Sequence, residues 1–306
     1  MFYTATDPHI DDTNINLSLF NDALRNDSEA SFGIILGDCI EIRDNFDKYL
    51  QALIYNPEAH AGDPRIFHLL GNHDLFFNGW VEFKEKVGPS VYWFEAVFTG
   101  GKDLYVSLDT ATGTLGKKQT QWLKAFLVEN RQNYRHCIIL THTNFFYTDN
   151  SQTGSGNMPF EESLLLIDFL GKQNVTLVLQ GHDHFREDLT YANVRYTVLG
   201  SIQDGAEAPE YLKVHVTQED VQLDWQYLPN HQNLQSVDEA CTSTQHCTSR
   251  ILPYQSPHKG YETERAQSRR SEPSRLARAA GFERLAIVYA KRAALRPCPP
   301  TPNLLF

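Results

Sequence analysis

Nowhere in its 306 residues does the chain carry an apolar run approaching the length of a membrane span, so no bilayer-crossing helix is expected. No secretory leader is in view either, because Met1 runs straight into what reads as a first strand, FYTAT. Cysteine is scarce, five in all and odd in number: Cys39, Cys137, Cys241, Cys247 and Cys298. Two of these sit in predicted strands or at their ends, so reduced thiols are expected rather than a disulfide framework, and with them a cytoplasmic setting. No internal repeat is visible. Positive charge is short over most of the chain: residues 1–229 hold 16 Lys and Arg against 32 Asp and Glu, net −16, whereas residues 230–306 hold 11 against 6, net +5. An acidic body of this kind repels duplex nucleic acid, which is not expected as a partner. What the chain does have is core material, 41% apolar and 12% aromatic residues, ample for a globular fold.

Hydrophobic periodicity divides residues 1–229 into alternating elements. Phe2 to Thr6 reads as a strand, and Ile15, Leu17, Leu19, Phe20 and Leu24 mark one side of a helix. Phe32 to Leu36 is a strand, Asp47 to Tyr55 a helix and Arg65 to Leu70 a strand. Short strands apolar on both faces, alternating with helices, predict a parallel sheet covered by helices, and ligands gather beyond the carboxyl ends of such strands. A helix is expected over Trp80–Val87 and a hairpin from Val91–Phe98 and Leu104–Leu108 around Gly100-Gly101. Lys117–Glu129 carries Trp122, Leu123, Phe126 and Leu127 at helical spacing, a core stripe. Cys137–Leu140 is a strand, Glu161–Leu170 a helix, and Val175–Leu179, Val194–Leu199, Tyr211–Val216 and Val221–Tyr227 are strands. Past Leu228 the pattern breaks. Residues 230–306 read as a basic, largely disordered tail, with one amphipathic basic helix expected near 275–295 that would dock on a partner or an acidic membrane surface.

The strand ends carry the chemistry. The run RIFHLLGNHD, Arg65 to Asp74, stops an apolar strand at Gly71 and follows it with three polar side chains that suit an exposed turn. Four other apolar strands end in the same way, at Asp7-Pro8-His9, Gly37-Asp38, Thr141-His142 and Gly181-His182-Asp183-His184. One such histidine has a bland explanation as a hydrogen-bonded loop residue; five such ends in one parallel sheet do not. Asp7, His9, Asp38, Asn72, His73, His142, His182 and His184 offer enough donors for two metal ions. Their mixture of carboxylate, imidazole and amide oxygen suits Mn, Fe, Zn or Co better than Mg or Ca. A carboxylate such as Asp38 can bridge the two.

In order and spacing, the series Asp7-x-His9, Gly37-Asp38-x-x-Glu41, Gly71-Asn72-His73-Asp74, His142 and Gly181-His182-x-His184 resembles the calcineurin-like metallophosphoesterase superfamily. The resemblance implies a four-layer αββα sandwich with a di-metal centre at the carboxyl ends of the strands. It implies Asp7, His9 and His184 on the first ion, Asn72, His142 and His182 on the second, and Asp38 across both. It also implies that His73 faces the leaving group and that Glu41 orients His73. Two cations about 3.5–4 Å apart hold a hydroxide near neutral pH, because coordination lowers the pKa of water from 15.7 towards about 7; that hydroxide would attack phosphorus in line. Glu41-Ile42-Arg43 stands where protein Ser/Thr phosphatases carry Asp-Arg-Gly, and Glu41 stands where purple acid phosphatases carry a tyrosine ligand. The pattern is similar to small bacterial-type phosphodiesterases, so hydrolysis of a small phosphodiester is expected; the alternatives are a phosphomonoesterase of the same fold or a non-catalytic metal-binding scaffold.

Aromatic residues crowd two of the motifs, Phe76, Phe77 and Trp80 after one, and Phe145, Phe146 and Tyr147 after His142. They could stack a nucleobase or cover an apolar alcohol, or equally pack on the core. Asn144, two residues past His142, is a candidate contact for substrate phosphate.

Overall fold

The computed structural model describes residues 1–42, 45–53, 65–98, 100–146, 157–229 and 294–297, and everything below concerns these. Their strands form two sheets. In the first, β1 (Phe2–Ala5), β2 (Phe32–Ile35) and β3 (Arg65–His68) run parallel, and the hairpin of β10 (Glu210–Val216) and β11 (Val221–Tyr227) joins antiparallel to β1, giving the order β11-β10-β1-β2-β3. The second sheet comprises β4 (Tyr92–Phe98), β5 (Gly101–Ser107), β6 (Cys137–Leu140), β7 (Leu177–Gln180), β8 (Glu187–Tyr191), β9 (Val194–Val198) and β12 (Ala294–Pro297). Its order is β12-β4-β5-β6-β7-β9-β8, with β5, β6, β7 and β9 parallel. The helices are α1 (Ile15–Asn26), α2 (Phe46–Ala52), α3 (Gly79–Glu82), α4 (Gly116–Asn130) and α5 (Phe160–Lys172).

Successive side chains on a strand point to opposite faces, and here both faces are apolar. On β1 Phe2 enters the core between the sheets while Tyr3 meets α1; on β2 Ile34 and Ile35 divide in the same way. On β6 Ile138 and Leu140 face the other sheet, and Cys137 and Ile139 face the side covered by α4 and α5. Three apolar layers therefore separate four structural ones, the αββα sandwich. Aromatic rings fill the centre: Phe67 and Phe94 stack with centroids 3.8 Å apart, and Phe94 stacks on Tyr105 at 4.7 Å. Each such ring, fully buried, contributes about 1.5–3 kcal/mol, which drives the two sheets together.

One expectation needs correction, and two elements are additional. The five motif-bearing strand ends belong to two sheets, β1–β3 in one and β6 and β7 in the other, because a strand apolar on both faces bears no mark of the sheet it joins. The segment before Trp80 is not plain loop: His73–Asn78 makes a tight helical turn, Phe77 and Asn78 take left-handed backbone (φ 52° and 68°), and only then does the helix of Gly79–Val87 begin. And β8 is an additional strand. It is polar and half exposed, an edge strand with no apolar run to announce it, and it turns into β9 through Ala192 and Asn193, both with positive φ, the geometry of a two-residue hairpin. The helix expected near 275–295 lies outside the described residues except for Ala294 and Leu295, which belong to β12. Tyr147, Tyr55 and the rest of the tail also lie outside them, as do Cys241, Cys247 and Cys298.

Candidate metal centre

The loops that leave β1 and β2 run side by side. Backbone N–H groups of Asp7, His9 and Ile10 donate to the carbonyls of Gly37, Asp38 and Cys39 at 3.0–3.2 Å, so Asp7-Pro8-His9 and Gly37-Asp38 are zipped into one platform. The turn after β3 is fastened to it by Asp74, whose buried carboxylate accepts the N–H of Gly71 (2.8 Å) and of Ile40 (3.2 Å). Gly71 has to be glycine there, since a Cβ would collide with the backbone N and carboxylate of Asp38. Across the gap, His182 N–H donates to Asp7 Oδ2 (2.9 Å) and His142 Nδ1–H donates to the Leu36 carbonyl (2.9 Å), so each sheet holds the other's loops in register. Gly181 is confined as Gly71 is: a Cβ would strike Thr6 Oγ1. Asp7, His9, Asp38, His182 and His184 all have positive φ, between 43° and 75°. Left-handed backbone costs a non-glycine residue about 1–2 kcal/mol, and such residues cluster where side chains must be aimed rather than relaxed.

What these loops aim is a group of donor atoms. Asp7 Oδ1 lies 3.2 Å from His184 Nε2 and 3.6 Å from His9 Nε2, yet makes no hydrogen bond of good geometry. His9 Nε2 is 3.0 Å from His184 Nε2. On the other side, His142 Nε2 lies 3.0 Å from Asn72 Oδ1, 3.3 Å from His182 Nδ1 and 3.3 Å from Asp38 Oδ2. The same Asp38 oxygen is 3.6 Å from His9 Nε2. His142 spends its Nδ1 proton on Leu36, so Nε2 is the ring atom turned to the centre, where an amide oxygen, a carboxylate oxygen and a second imidazole nitrogen face it.

Electrostatics tell the same story. Burial alone pushes His9 and His142 down, but the carboxylates override it: Asp7, Asp38 and Glu41 carry His9 up to about 9, and Asp38 and Asp7 carry His142 up to about 10. Burial raises Asp7 and Asp38, and the neighbouring histidines more than reverse it, holding both carboxyls below their ordinary value. Asp74, buried and repelled by Asp38, is pushed up to about 7. Two buried carboxylates thus create a site that demands positive charge.

His73 stands beside this group. Its N–H donates to Asp38 Oδ1 (2.8 Å), its ring sits edge-on to that of His9 with centroids 4.5 Å apart, and its side chain reaches solvent. Glu41 Oε2 lies 2.8 Å from His9 Nδ1 and 3.3 Å from His73 Nδ1, so it serves both rings and is nearer to His9. Asn144 is different. It is 0% exposed, its amide N–H donates to Asp183 Oδ2 (2.7 Å) and its oxygen accepts the Phe146 N–H (2.9 Å), so it braces the GHDH turn from within the protein. Sequence reasoning passed over Thr6, whose hydroxyl donates to Asp7 Oδ2 (2.5 Å), and Thr110, whose hydroxyl accepts the N–H groups of His142 (3.1 Å) and Thr143 (3.0 Å). No motif contains Thr110; Asp74 and Asp183, by contrast, stand inside the motifs.

A two-sheet sandwich whose inner loops converge carboxylates and imidazoles on one point defines the class of di-metal phosphoesterases. The sequence profile of the calcineurin-like phosphoesterase family matches residues 2–186, well over half the chain, and the protein belongs to that family. It is a metal-dependent phosphoester hydrolase. Among solved structures, a dimetal phosphatase from Danio rerio superimposes with a TM-score of 0.58 at 13% identity, covering 73% of this chain and 95% of that one. GAP50 of Plasmodium, described as the anchor in the inner membrane complex, gives 0.53 at 15% identity, with 78% and 93% covered. The purple acid phosphatase PPD1 of yellow lupin gives 0.54 at 16%, covering 74% of this chain and 51% of that one. At such identities the likeness is one of fold. No curated protein matches by sequence.

The family works with two transition-metal ions, and the residues fit them. Asp7, His9 and His184 can each place one donor atom within 4.8 Å of the others, as can Asp38, His142 and His182, and the buried Asp7 Oδ1 and His182 Nε2 have no hydrogen-bond partner. Imidazole, carboxylate and amide oxygen in this proportion suit Mn, Fe, Zn or Co. No helix among the described residues is long and apolar enough to cross a membrane.

Proposed function

We propose that residues 1–229 form a phosphodiesterase for a small phosphodiester, with residues 230–306, which also supply β12 to the second sheet, as a basic appendage that engages a partner or an acidic membrane surface, and with Cys39 and Cys137, both buried and free, as reduced thiols of a cytoplasmic protein. In this reading Asp7, His9 and His184 would hold one ion, Asn72, His142 and His182 would hold the other, and Asp38 would serve both. The observation that carries it is Asp38 Oδ2, 3.6 Å from His9 Nε2 of the first set and 3.3 Å from His142 Nε2 of the second. When bound, the ions supply Lewis acidity toward the phosphoryl oxygens and lower the pKa of water.

The chain's own groups do the rest. Thr6 and the His182 amide fix Asp7 by one carboxylate oxygen and leave the other for binding. Leu36 fixes the tautomer of His142. Glu41 holds a proton on His73 Nδ1, through both its carbonyl and Oε2 at 3.3 Å, which leaves Nε2 as the atom that gives its proton to the departing alcohol. A general acid so placed contributes about a hundred- to ten-thousandfold. The preference for a diester is supported by the likeness of the motif series to small bacterial-type phosphodiesterases.

Protein loaded with Mn, Fe, Zn or Co should bind two ions per chain and hydrolyse a bis-aryl phosphate faster than the aryl monoester. Two ions with the order of rates reversed would make it a monoesterase, and two ions with neither ester cleaved would make it a scaffold.

A further inference from the structure

The two aromatic groups that follow the metal-ligand motifs have opposite fates. Phe145 is 2% exposed and, with Phe146, packs edge-on against Tyr196 in the core beneath α5. Phe76 and Phe77 are 43% and 73% exposed, and Trp80 turns away from them to stack on Phe83. Nothing in the core calls for Phe76 and Phe77 to face outward, and the backbone is bent to keep them there: Phe77 and Asn78 are consecutive left-handed residues, and the turn closes so tightly on Asp74 that a Cβ at Gly79 would strike its carbonyl. From the buried ring of His9 a line of rings leads outward. His73 meets His9 with centroids 4.5 Å apart, and Phe76 meets His73 at 4.6 Å, tilted by 48°.

We infer that Phe76, the ring next to His73, with the exposed Phe77 following it on the same turn, offers a shelf that receives a flat, uncharged aromatic ring on the leaving-group alcohol of the substrate. The inference rests on His73 being the group that protonates that alcohol, because the substituent on the departing oxygen must then extend past His73 toward solvent, where Phe76 is the neighbouring ring. Phenylalanine has two side-chain torsions, so such a shelf costs little entropy to use and rewards a planar partner. Glu41 lies alongside His73 and is itself half exposed, which disfavours an anionic group at this place and so a second phosphate on the leaving alcohol. A nucleoside-like or aryl-bearing alcohol matches all of these features.

The test uses metal-loaded protein and phosphate esters of three alcohols with nearly equal acidity, methyl, cyclohexylmethyl and benzyl, prepared as diesters and as monoesters so that the faster series is read. The benzyl ester should exceed the methyl ester in kcat/KM by about tenfold, the size of one aromatic contact, with the cyclohexylmethyl ester between them. Phe76→Leu and Phe77→Leu should each cut the benzyl-to-methyl ratio by about threefold, the double variant should bring it near one, and Phe77→Tyr should preserve it, all at unchanged metal content. Equal rates for the three esters in the parent protein, or a ratio unmoved in the double variant, would overturn the shelf and leave the hydrolase standing. Cleavage of none of them by protein holding two ions would overturn both.

Discussion

The two sheets contribute unlike halves of the centre. Loops after β1, β2 and β3 bring both carboxylates, the amide, the imidazole of His9 and the solvent-reaching His73 together with Glu41, while loops after β6 and β7 bring only imidazoles, His142, His182 and His184. Neither half is a site by itself. An all-imidazole set lacks the charge to hold two cations, and the two carboxylates of the other half face His9 within it and depend on His142 and His184 for the rest of their ion pairs. The lesson is that what makes the centre is the closure of the sandwich, and that the fastenings across the gap, His182 N–H to Asp7 and His142 Nδ1–H to Leu36, matter as much as the ligands.

The sharpest way to break this asymmetry is at Asp38, whose carboxylate lies close to an imidazole of each half. Asp38→Asn keeps the shape but removes a charge shared between the two donor sets. The variant is expected to lose metal and kcat/KM together, the latter on the order of a thousandfold, as fits a metal centre that supplies several kcal/mol of transition-state stabilisation. Metal analysis beside a rate measurement checks it; a variant still holding two ions with full activity would show that Asp38 bridges nothing.

His73→Ala probes the open side of the same half. It should leave the ion count untouched and lower turnover about a hundred- to ten-thousandfold on esters of weakly acidic alcohols, far less where the leaving group needs no proton. A plot of log kcat/KM against leaving-group pKa should therefore steepen. An unchanged slope would remove His73 from proton transfer, whatever its effect on rate.

Much of this was legible in the sequence because each motif marks the end of an apolar strand with a polar run, led in three of the five by a glycine, and strand ends in α/β sheets are where ligands collect. What escaped was whatever depends on partners far along the chain. Ile34 and Ile35, or Ile138 and Ile139, read alike whichever sheet they enter, so the split into two sheets is invisible to periodicity. Thr110 supports His142 from 32 residues away and carries no local signature. Asn144 stands beside a ligand in sequence and faces Asp183 in space. The kink at Phe77 and Asn78 is unreadable for a related reason: a phenylalanine carries no signal of positive φ, and the close approach of Gly79 to the Asp74 carbonyl is seen only in the fold.

The comparison can be sharpened with a histidine of the carboxylate sheet that is no ligand. His68 closes β3, as His142 follows β6, and shares a 2.6 Å hydrogen bond with the Tyr49 hydroxyl instead of facing carboxylates. Burial, unopposed, pushes it down to about 4, where His142 goes up to about 10. The sign of its effect on stability follows. His68 is neutral in the folded protein and takes up a proton below about 6.5 when unfolded, so its contribution is full above pH 6.5, declines as the pH falls from 6.5 to about 4, and is spent below that. A difference of this size is worth roughly 3 kcal/mol. Denaturant midpoints of the metal-free protein and of His68→Asn, followed from pH 7 to pH 4, should converge as the pH drops, with the carboxylates' own acid sensitivity cancelling between the two. Parallel curves would mean that His68 is as easily protonated in the fold as out of it, and that burial alone does not separate the structural histidine from those of the centre.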